Sequence, residues 1–184
     1  MTRVLIPLAS GVEEREAVIT IDIFRRAQWD VVAAGLKSGP VRASRGVTIM
    51  PDKIWREVDP FAFDVLIIPG GAGGVDVLNA APHILETIRV FDSSNRWIGA
   101  ICAGPLVLQT AGILAGRNVT CHPAVNDKLT ATRRLPERVV VDRNLVTSQG
   151  AGTTFEFALT IVKLIDGVAK AKSIMQGIVM TAGA

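Results

Sequence analysis

The feature that most constrains the fold is the alternation of short, fully apolar runs with longer segments of helical periodicity. Residues 4–6, 64–68 and 97–101 are apolar almost throughout and show no alternation of apolar and polar positions. Strands of this kind lie in sheets that are buried on both faces. Because helical segments such as 13–27 and 154–166 intervene, we predict parallel strands with helices covering both faces of the sheet.

The other elements follow from the same periodicities and from the turn residues between them. The predicted strands are 4–6, 31–34, 64–68, 97–101 and 119–121, the predicted hairpins are 41–42 with 47–49 and 139–141 with 145–147, and the predicted helices are 13–27, 81–91, 105–114, 154–166 and 168–180. Thr153 and Glu156 have the spacing of a capping box. No repeat, linker or low-complexity segment interrupts the pattern, so residues 1–184 are predicted to form a single domain.

Composition excludes several classes of protein. The 184 residues are 49% hydrophobic and are enough for a buried core, but no apolar run reaches the roughly 18 residues that span a bilayer. The 20 basic and 17 acidic residues are spread along the chain, and the densest basic stretch, 128–138, contains no aromatic residue, so no specific nucleic-acid binding is expected. Two cysteines and no secretory signal predict a reducing, cytoplasmic location.

Cys102 carries the strongest chemical signal in the chain. It directly follows the predicted strand 97–101, and ligands of parallel α/β sheets bind at the carboxyl ends of the strands. The small residues Ala103 and Gly104 suit a sharp turn that presents a nucleophile. The N-terminus of the next helix is expected to lower the thiol pKa from about 8.5 to roughly 3.5–7.5 and so favour the thiolate. The alternative is an inert cysteine that packs as a small apolar side chain.

The glycine run 70–74 follows the predicted strand 64–68. It is not a dinucleotide-binding fingerprint, because Asp76 occupies a position that requires Gly or Ala, and it lacks the Lys-Ser/Thr of a phosphate-binding loop. Backbone N–H groups of Gly71 and its neighbours are better suited to stabilising a developing oxyanion, where each donor contributes about 3–4 kcal/mol. A flexible turn is the alternative.

Glu16 is the candidate partner for the thiol. It lies deep enough in the predicted helix 13–27 to face the sheet, where a carboxyl and a nearby thiol would share a proton and titrate as a unit. Glu13 and Glu14, in the first turn, are expected only to interact favourably with the helix dipole.

His122 is a candidate general base, because it follows the predicted strand 119–121. The neighbouring Cys121 raises the possibility of a metal site, but two cysteines and two histidines in this chain lack the spacing of zinc ligands. We therefore expect no metal and no cofactor, and we assign Cys121 a structural or surface role.

Taken together, these strand ends resemble the ThiJ/PfpI superfamily, specifically its deglycase (DJ-one) branch. The resemblance covers essentially the whole chain. It implies a flavodoxin-like three-layer α/β sandwich with a mostly parallel central sheet (class I glutamine amidotransferase-like), generally assembled as a homodimer. The segments that carry it are Gly-Val-Glu-Glu-Arg-Glu at 11–16, Leu-Ile-Ile-Pro-Gly-Gly at 66–71, Ala-Ile-Cys-Ala-Gly-Pro at 100–105, His-Pro at 122–123 and Thr-Ser-Gln-Gly-Ala-Gly-Thr at 147–153.

The resemblance also implies a role for individual residues. Cys102 is the reactive cysteine, and Glu16 is the protonated partner that hydrogen-bonds it. Gly71 and Ala103 supply the oxyanion amides, and His122 lies at the pocket.

Three residues away from the strand ends match family positions as well. The helix that bears Asp22 and Arg26 is expected near the dimer interface, and Arg26 and Arg45 match positions that lie close to the site and bind anions. Peptidase-type relatives place a histidine directly after the cysteine, where this chain has Ala103, so the resemblance disfavours proteolysis.

The implied activity is that of a cofactor-free glyoxalase III or protein deglycase. Cys102 would add to methylglyoxal, glyoxal or early glycation adducts on proteins to form a hemithioacetal. A second hypothesis is a redox-responsive stress sensor or chaperone that acts through oxidation of Cys102 to the sulfinate. A third is a small-molecule-binding module in which Cys102 is unreactive.

Overall fold

A seven-stranded sheet forms the centre of the molecule. The computed structural model describes residues 1–130 and 132–180. Its strands are β1 (Arg3–Leu8), β2 (Asp30–Gly35), β3 (Val41–Arg42), β4 (Thr48–Ile49), β5 (Lys53–Ile54), β6 (Val65–Ile68), β7 (Trp97–Ile101), β8 (Asn118–Val119), β9 (Arg133–Arg134), β10 (Val139–Asp142) and β11 (Leu145–Ser148). The main sheet has the order β10-β11-β7-β6-β1-β2-β5, and its pairs are parallel except for the antiparallel pair β10–β11.

Helices cover both faces of this sheet, as predicted. They are α1 (Glu14–Arg26), α2 (Ala72–Asn79), α3 (Pro82–Ser93), α4 (Pro105–Ala111), α5 (Thr154–Asp166) and α6 (Val168–Gly177). One core layer joins the sheet to α1, α5 and α6, and the other joins it to α2, α3 and α4. No helix among the described residues has the length and apolar character needed to cross a bilayer.

The strands feed both layers because successive side chains point to opposite faces. In β6, Val65 and Ile67 belong to the α1/α5 layer, whereas Leu66 and Ile68 belong to the α2/α3/α4 layer. All four are at most 1% exposed, which explains why this segment lacks alternating polarity in the sequence. Burying a side chain of this size contributes roughly 1.5–3 kcal/mol.

Most predicted elements are present with small shifts at their ends. The fourth predicted helix is matched at both ends by α5, and the two predicted hairpins are β3–β4 and β10–β11. The helix predicted over 105–114 ends at Ala111, because Gly112 adopts the left-handed conformation with φ 84° that terminates helices. Strand β8 is shorter than predicted and is displaced by one residue.

The capping box predicted at the start of α5 is wrong. Thr153 directs its hydroxyl backwards, donating to the Gly150 carbonyl at 2.8 Å, and makes no cap hydrogen bond to α5. Glu156 instead forms an ion pair with Arg138 at 2.8 Å. The two residues have the spacing of a capping box, but the Thr153 hydroxyl bonds to a nearer carbonyl and Glu156 pairs with a cation from another element.

Helix α2 was not predicted. Its first turn contains Gly73 and Gly74, and glycine costs about 1 kcal/mol per residue in a helix interior. The glycines are needed because α2 packs against the loop after β1: a Cβ at Gly74 would lie 2.9 Å from the Val12 nitrogen. Tertiary packing therefore overrides local propensity in this segment.

Candidate active site

The candidate site lies beyond the carboxyl ends of β1, β6 and β7. From β1 the chain builds the sheet outward through β2 and β5, and from β6 it builds in the opposite direction through β7 and β11. The loops after β1 and β6 therefore diverge, and a crevice opens where the direction of winding changes. A cavity of about 490 Å³ occupies this position and is lined in part by Glu16, Gly71, Cys102 and His122.

Cys102 occupies a strained turn between β7 and α4. Its φ of 62° lies in the left-handed region, which non-glycine residues rarely adopt and which costs about 1–3 kcal/mol. Two hydrogen bonds hold this backbone in place: the Cys102 N–H donates to the Ser148 carbonyl and the His122 N–H donates to the Cys102 carbonyl, both at 3.0 Å. The sharp strand-to-helix turn expected from the sequence is present, and it leaves the side chain half-buried at the cavity.

Glu16 reaches the same point from the first turn of α1. Its side chain is almost completely buried, and Oε2 accepts a hydrogen bond of 2.8 Å from the Gly70 N–H. The carboxyl faces the Cys102 thiol, and hydrogen bonding between the two contributes to the pKa shifts of both. Oε1 has no hydrogen-bond partner of good geometry among the described residues, although it is buried.

The N–H groups of Gly71 and Ala103 lie close enough to the Cys102 sulfur to lower the thiol pKa. Gly71 precedes α2 and has a φ of 88°. A Cβ there would lie 2.5 Å from the Glu13 nitrogen, so both the conformation and the space require glycine. These two amides are the pair that the family resemblance assigns to an oxyanion.

The expectation of a lowered thiol pKa is wrong for the state in which Glu16 is ionised. Burial, followed by the negative charge of Glu16, raises the pKa of Cys102 to about 12. Burial also raises the pKa of Glu16 to about 7. Helix α4 is only seven residues long and offers little dipole to offset these effects, so the amides of Gly71 and Ala103 are the main groups that favour the thiolate.

The two groups therefore titrate as a pair. The pair loses one proton near pH 7 and retains the second until the pH approaches about 12. Between these limits a single proton is shared by the carboxyl and the thiol. The Gly70 amide favours ionised Glu16, whereas the amides of Gly71 and Ala103 favour ionised Cys102.

His122 lines the cavity, and its hydrogen bonding indicates which ring nitrogen carries the proton. Its Nδ1 accepts a hydrogen bond of 3.1 Å from the Ala124 N–H, so the neutral imidazole carries its proton on Nε2. In this tautomer the ring offers a donor rather than a base. Gly150 lies beside the ring: a Cβ at that position would be 3.3 Å from His122 Cδ2 and 4.0 Å from Glu16 Oε1.

Arginines are divided between the cavity and a distant part of α1. Arg15 and Arg45 line the cavity, and Arg15 forms an ion pair with Glu13 at 3.0 Å. Arg26 does not reach the cavity of its own chain. It pairs with Asp22 at 2.7 Å, in the last turns of α1, about 15 Å along the helix from Glu16. Arg15 lies within the 11–16 segment that carries the family resemblance, but no role was predicted for it.

Glu13 and Glu14 do more than interact with the helix dipole, which corrects the expectation. Glu13 is the N-cap of α1, and its Oε2 accepts from the Glu16 N–H at 2.9 Å. Glu14 accepts hydrogen bonds from the Ser44 hydroxyl at 2.8 Å and the Arg45 N–H at 2.9 Å. The first carboxylate fixes the start of the helix that carries Glu16, and the second fixes the loop that carries Arg45.

Cys121 lies apart from this cavity. It is buried, its thiol donates to Asn126 Oδ1 at 3.2 Å, and burial raises its pKa. Within residues 1–130 and 132–180, no group of three or more His, Cys, Asp or Glu side chains is arranged to hold a metal ion.

Comparison with known proteins places this geometry in context. Residues 2–164 match the model of the DJ-1/PfpI family. The chain is 42% identical over 166 residues to the glutathione-independent glyoxalase DJR-1.2 of Caenorhabditis elegans, covering 89% of this chain and 88% of that one. It is 41% identical over 167 residues to protein DJ-1 homolog B of Arabidopsis thaliana, covering 90% of this chain but only 38% of that longer protein.

Solved structures show the same fold. The crystal structure of Drosophila melanogaster DJ-1beta superposes with a TM-score of 0.94 at 35% identity, covering 98% of this chain and 99% of that one. Oxidized Toxoplasma gondii DJ-1 also superposes with a TM-score of 0.94, at 34% identity, covering 99% of this chain and all of that one. The flavodoxin-like sandwich predicted from the resemblance is confirmed.

Coupling of Cys102 to Glu16 predicts a two-step pH dependence. We expect alkylation of Cys102 by iodoacetamide to accelerate as the pair loses a proton near pH 7, to level off, and to accelerate again towards about pH 12. Glu16→Gln removes the shared proton and the carboxylate charge, so one step should remain, between these limits. Rates measured from pH 5 to 11, with Cys121→Ser in both backgrounds, check this. A single step near about 8.5 that Glu16→Gln leaves unchanged would contradict the coupling.

Proposed function

Because the chain belongs to the DJ-1/PfpI family, we propose that it is a cysteine-dependent, cofactor-free glyoxalase that converts methylglyoxal and glyoxal to lactate and glycolate. The observation that carries the proposal is the convergence of the Gly71 and Ala103 amides and the Glu16 carboxyl on the Cys102 sulfur. A glyoxalase that does not need glutathione must supply its own thiol, and the relative from Caenorhabditis elegans is named for that property.

In the first step, the Cys102 thiolate attacks the aldehyde carbon and a carbon–sulfur bond forms. The aldehyde oxygen becomes negatively charged, and donors within reach of the sulfur, the N–H groups of Gly71 and Ala103, stabilise it. Protonation of this oxygen gives the hemithioacetal. A protonated Glu16 beside the sulfur is placed to deliver that proton.

In the second step, a proton moves from the aldehyde carbon to the neighbouring carbon. Ionised Glu16 removes it to give an enediol, and protonation of the adjacent carbon yields a thioester of Cys102. One carbon is oxidised while its neighbour is reduced, so no external electron carrier is needed. A carboxyl with a pKa of about 7 is suited to take up and return the proton at neutral pH. His122 donates from Nε2 to the ketone oxygen as charge develops there.

In the third step, water attacks the thioester, the carbon–sulfur bond breaks, and lactate leaves with Cys102 restored. Early glycation adducts on proteins contain the same aldehyde-derived carbon, and the cavity is open to solvent, so we include them in the same proposal as substrates. Arg15 and Arg45 at the cavity suit a product that carries a carboxylate.

A second candidate function is redox sensing through Cys102. The donors that stabilise an oxyanion are equally suited to the oxygens of a sulfinate, which sit on the sulfur. Oxidized Toxoplasma gondii DJ-1, with a TM-score of 0.94, shares the fold. Cys121 is buried and hydrogen-bonded, so oxidation is expected at one thiol. A sensor or chaperone role would depend on this oxidation of Cys102. Two free thiols support a reducing, cytoplasmic location.

We also propose that the protein is a homodimer. Val18 of α1 is 48% exposed, and the hairpin β3–β4 and its flank add Val47 at 50% and Met50 at 70%. The Ser44 hydroxyl and the Arg45 N–H of the same hairpin donate to Glu14, which lies one helical turn before Val18, so the hairpin lies beside the N-terminal half of α1. Arg26 on the same helix does not reach its own cavity, so a role close to a site requires the cavity of a second copy.

Methylglyoxal turnover tests the first proposal. We expect the purified protein to form lactate without added thiol, Cys102→Ala to lower the rate by at least about a thousandfold, since the nucleophile is lost, and Cys121→Ser to retain it. Lactate is measured by a coupled assay in thiol-free buffer. Activity in Cys102→Ala above the rate in buffer would rule out the covalent route.

Mild peroxide distinguishes the two thiols. We expect a mass increase of two oxygens on the peptide containing Cys102 before any change at Cys121, because only Cys102 faces the cavity. Peptide mass spectrometry over a time course gives both rates. Equal oxidation of both cysteines would count against a sensor.

Sedimentation velocity tests the dimer. We expect a species of twice 19.6 kDa, and Val18→Asp should shift it towards monomer because burying an unpaired carboxylate is costly. Val141→Asp is the matched control, since Val141 is 44% exposed on β10, at the opposite edge of the main sheet from β2 and β5. A monomeric wild type, or equal dissociation by both variants, would overturn the interface.

A further inference from the structure

A second cavity lies between the segment after β5 and helix α3. Two short 3-10 turns, Trp55–Glu57 and Pro60–Ala62, form one side of it, and the first turns of α3 form the other. Its volume is about 440 Å³, which is within the range of small-molecule sites. It shares no lining residue with the cavity at Cys102.

The walls of this second cavity are apolar and aromatic. Trp55 is 7% exposed, and its ring lies 6.0 Å from the His83 ring at an interplanar angle of 41°. Phe61 lines the opposite part and is 47% exposed, although the chain as a whole is only 5% aromatic. Leu36 and Val58 complete the apolar surface. Such walls favour flat rings, which stack or pack edge-on against aromatic side chains.

A cation at this cavity is left without a partner in the described part of the chain. Arg56 lines it and makes no ion pair or side-chain hydrogen bond with any described residue. The acid at the rim, Glu86, is paired with Arg89 at 3.2 Å, and the Thr87 hydroxyl donates to the His83 carbonyl at 2.8 Å. Helix α3 begins beside the cavity without a capping side chain, and in its first turn the His83 N–H is left without a backbone acceptor among the described residues, because Pro82 has no N–H and the Ile84 N–H donates to the Ala81 carbonyl.

From this combination we propose that the second cavity binds a small planar aromatic carboxylate. The ring lies against Trp55 and Phe61, and the carboxylate forms a charge-assisted, two-point hydrogen bond with the Arg56 guanidinium. Apolar walls alone would accept any hydrophobic molecule of this size, whereas the unpaired guanidinium of Arg56 favours an acid. The site is separate from the chemistry at Cys102, so this proposal does not depend on the proposed glyoxalase activity.

Calorimetric titration with 2-naphthoate, alongside the uncharged 2-naphthalenemethanol, tests the proposal. We expect naphthoate to bind saturably with a Kd of roughly 0.1–1 mM, as usual for about 13 heavy atoms, and the alcohol to bind at least about fivefold more weakly. Arg56→Gln should weaken naphthoate about tenfold and leave the alcohol unchanged, whereas Phe61→Ala should weaken both. Arg133→Gln, which removes an exposed charge elsewhere, should change neither.

Location is read from the same titration followed by NMR. The indole N–H of Trp55 should shift on binding, and prior alkylation of Cys102 should leave the affinity unchanged. No saturable binding up to 5 mM would overturn the site. Equal binding of acid and alcohol, with no effect of Arg56→Gln, would overturn the carboxylate assignment. Loss of binding on alkylation of Cys102 would place the ligand in the other cavity and overturn the proposal.

Discussion

The buried hydrogen bond of 2.8 Å from the Gly70 N–H to Glu16 Oε2 joins the three elements on which the site depends. It connects the start of α1 to the end of β6, and Cys102 at the end of β7 lies against the same point. A Cβ at Gly70 would be 2.6 Å from Cys102 Cβ and 2.7 Å from Glu16 Oε2, so any other residue would force the thiol and the carboxyl apart. Their coupling is therefore a consequence of backbone packing around one glycine.

This arrangement lowers the stability of the fold as the pH rises through neutrality. The pKa of Glu16 is raised from 4.5 to about 7, so its neutral form is the one that the fold favours. The stability that it contributes is fully present below pH 4.5 and is lost as the pH rises through about 7. The left-handed backbone of Cys102 adds strain at the same place. The Ser148 carbonyl and the His122 amide hold this strained backbone in place. Backbone strain beside a buried carboxyl with a raised pKa is typical of a functional site.

The sequence was most informative where one physical effect dominates. Strands buried on both faces, such as β6, must be apolar throughout, and the amphipathic helix α5 was matched at both ends. Prediction failed where tertiary contacts compete with local preference. Helix α2 begins among glycines that its packing against Val12 requires, and Thr153 turned its hydroxyl to Gly150 instead of capping α5.

The same distinction applies to the site. Positions after strands identified Cys102 and Gly71, because sheet topology alone brings them together. The direction of the thiol pKa was predicted wrongly, because it depends on how deeply the sulfur is buried and on the charge of Glu16, which no motif encodes. A matched family position also does not show how far along α1 Arg26 lies from the cavity in the folded chain.

Sharing of one proton explains why a half-buried thiol with a raised pKa is still suited to nucleophilic chemistry. In the proposed glyoxalase reaction, attack requires the thiolate, and the enediol step requires a carboxylate that accepts a proton. A pair that exchanges one proton internally would supply each form in turn without taking a proton from water. Gly150 leaves space beside this pair. Its extended backbone, with φ 160°, would accept any residue, but a side chain at this position would enter the space between His122 and Glu16 Oε1. Because Gly150 has no side chain, the space between His122 and the buried Oε1 stays free, and in the proposed reaction a substrate carbon that enters this space can receive the proton of the pair.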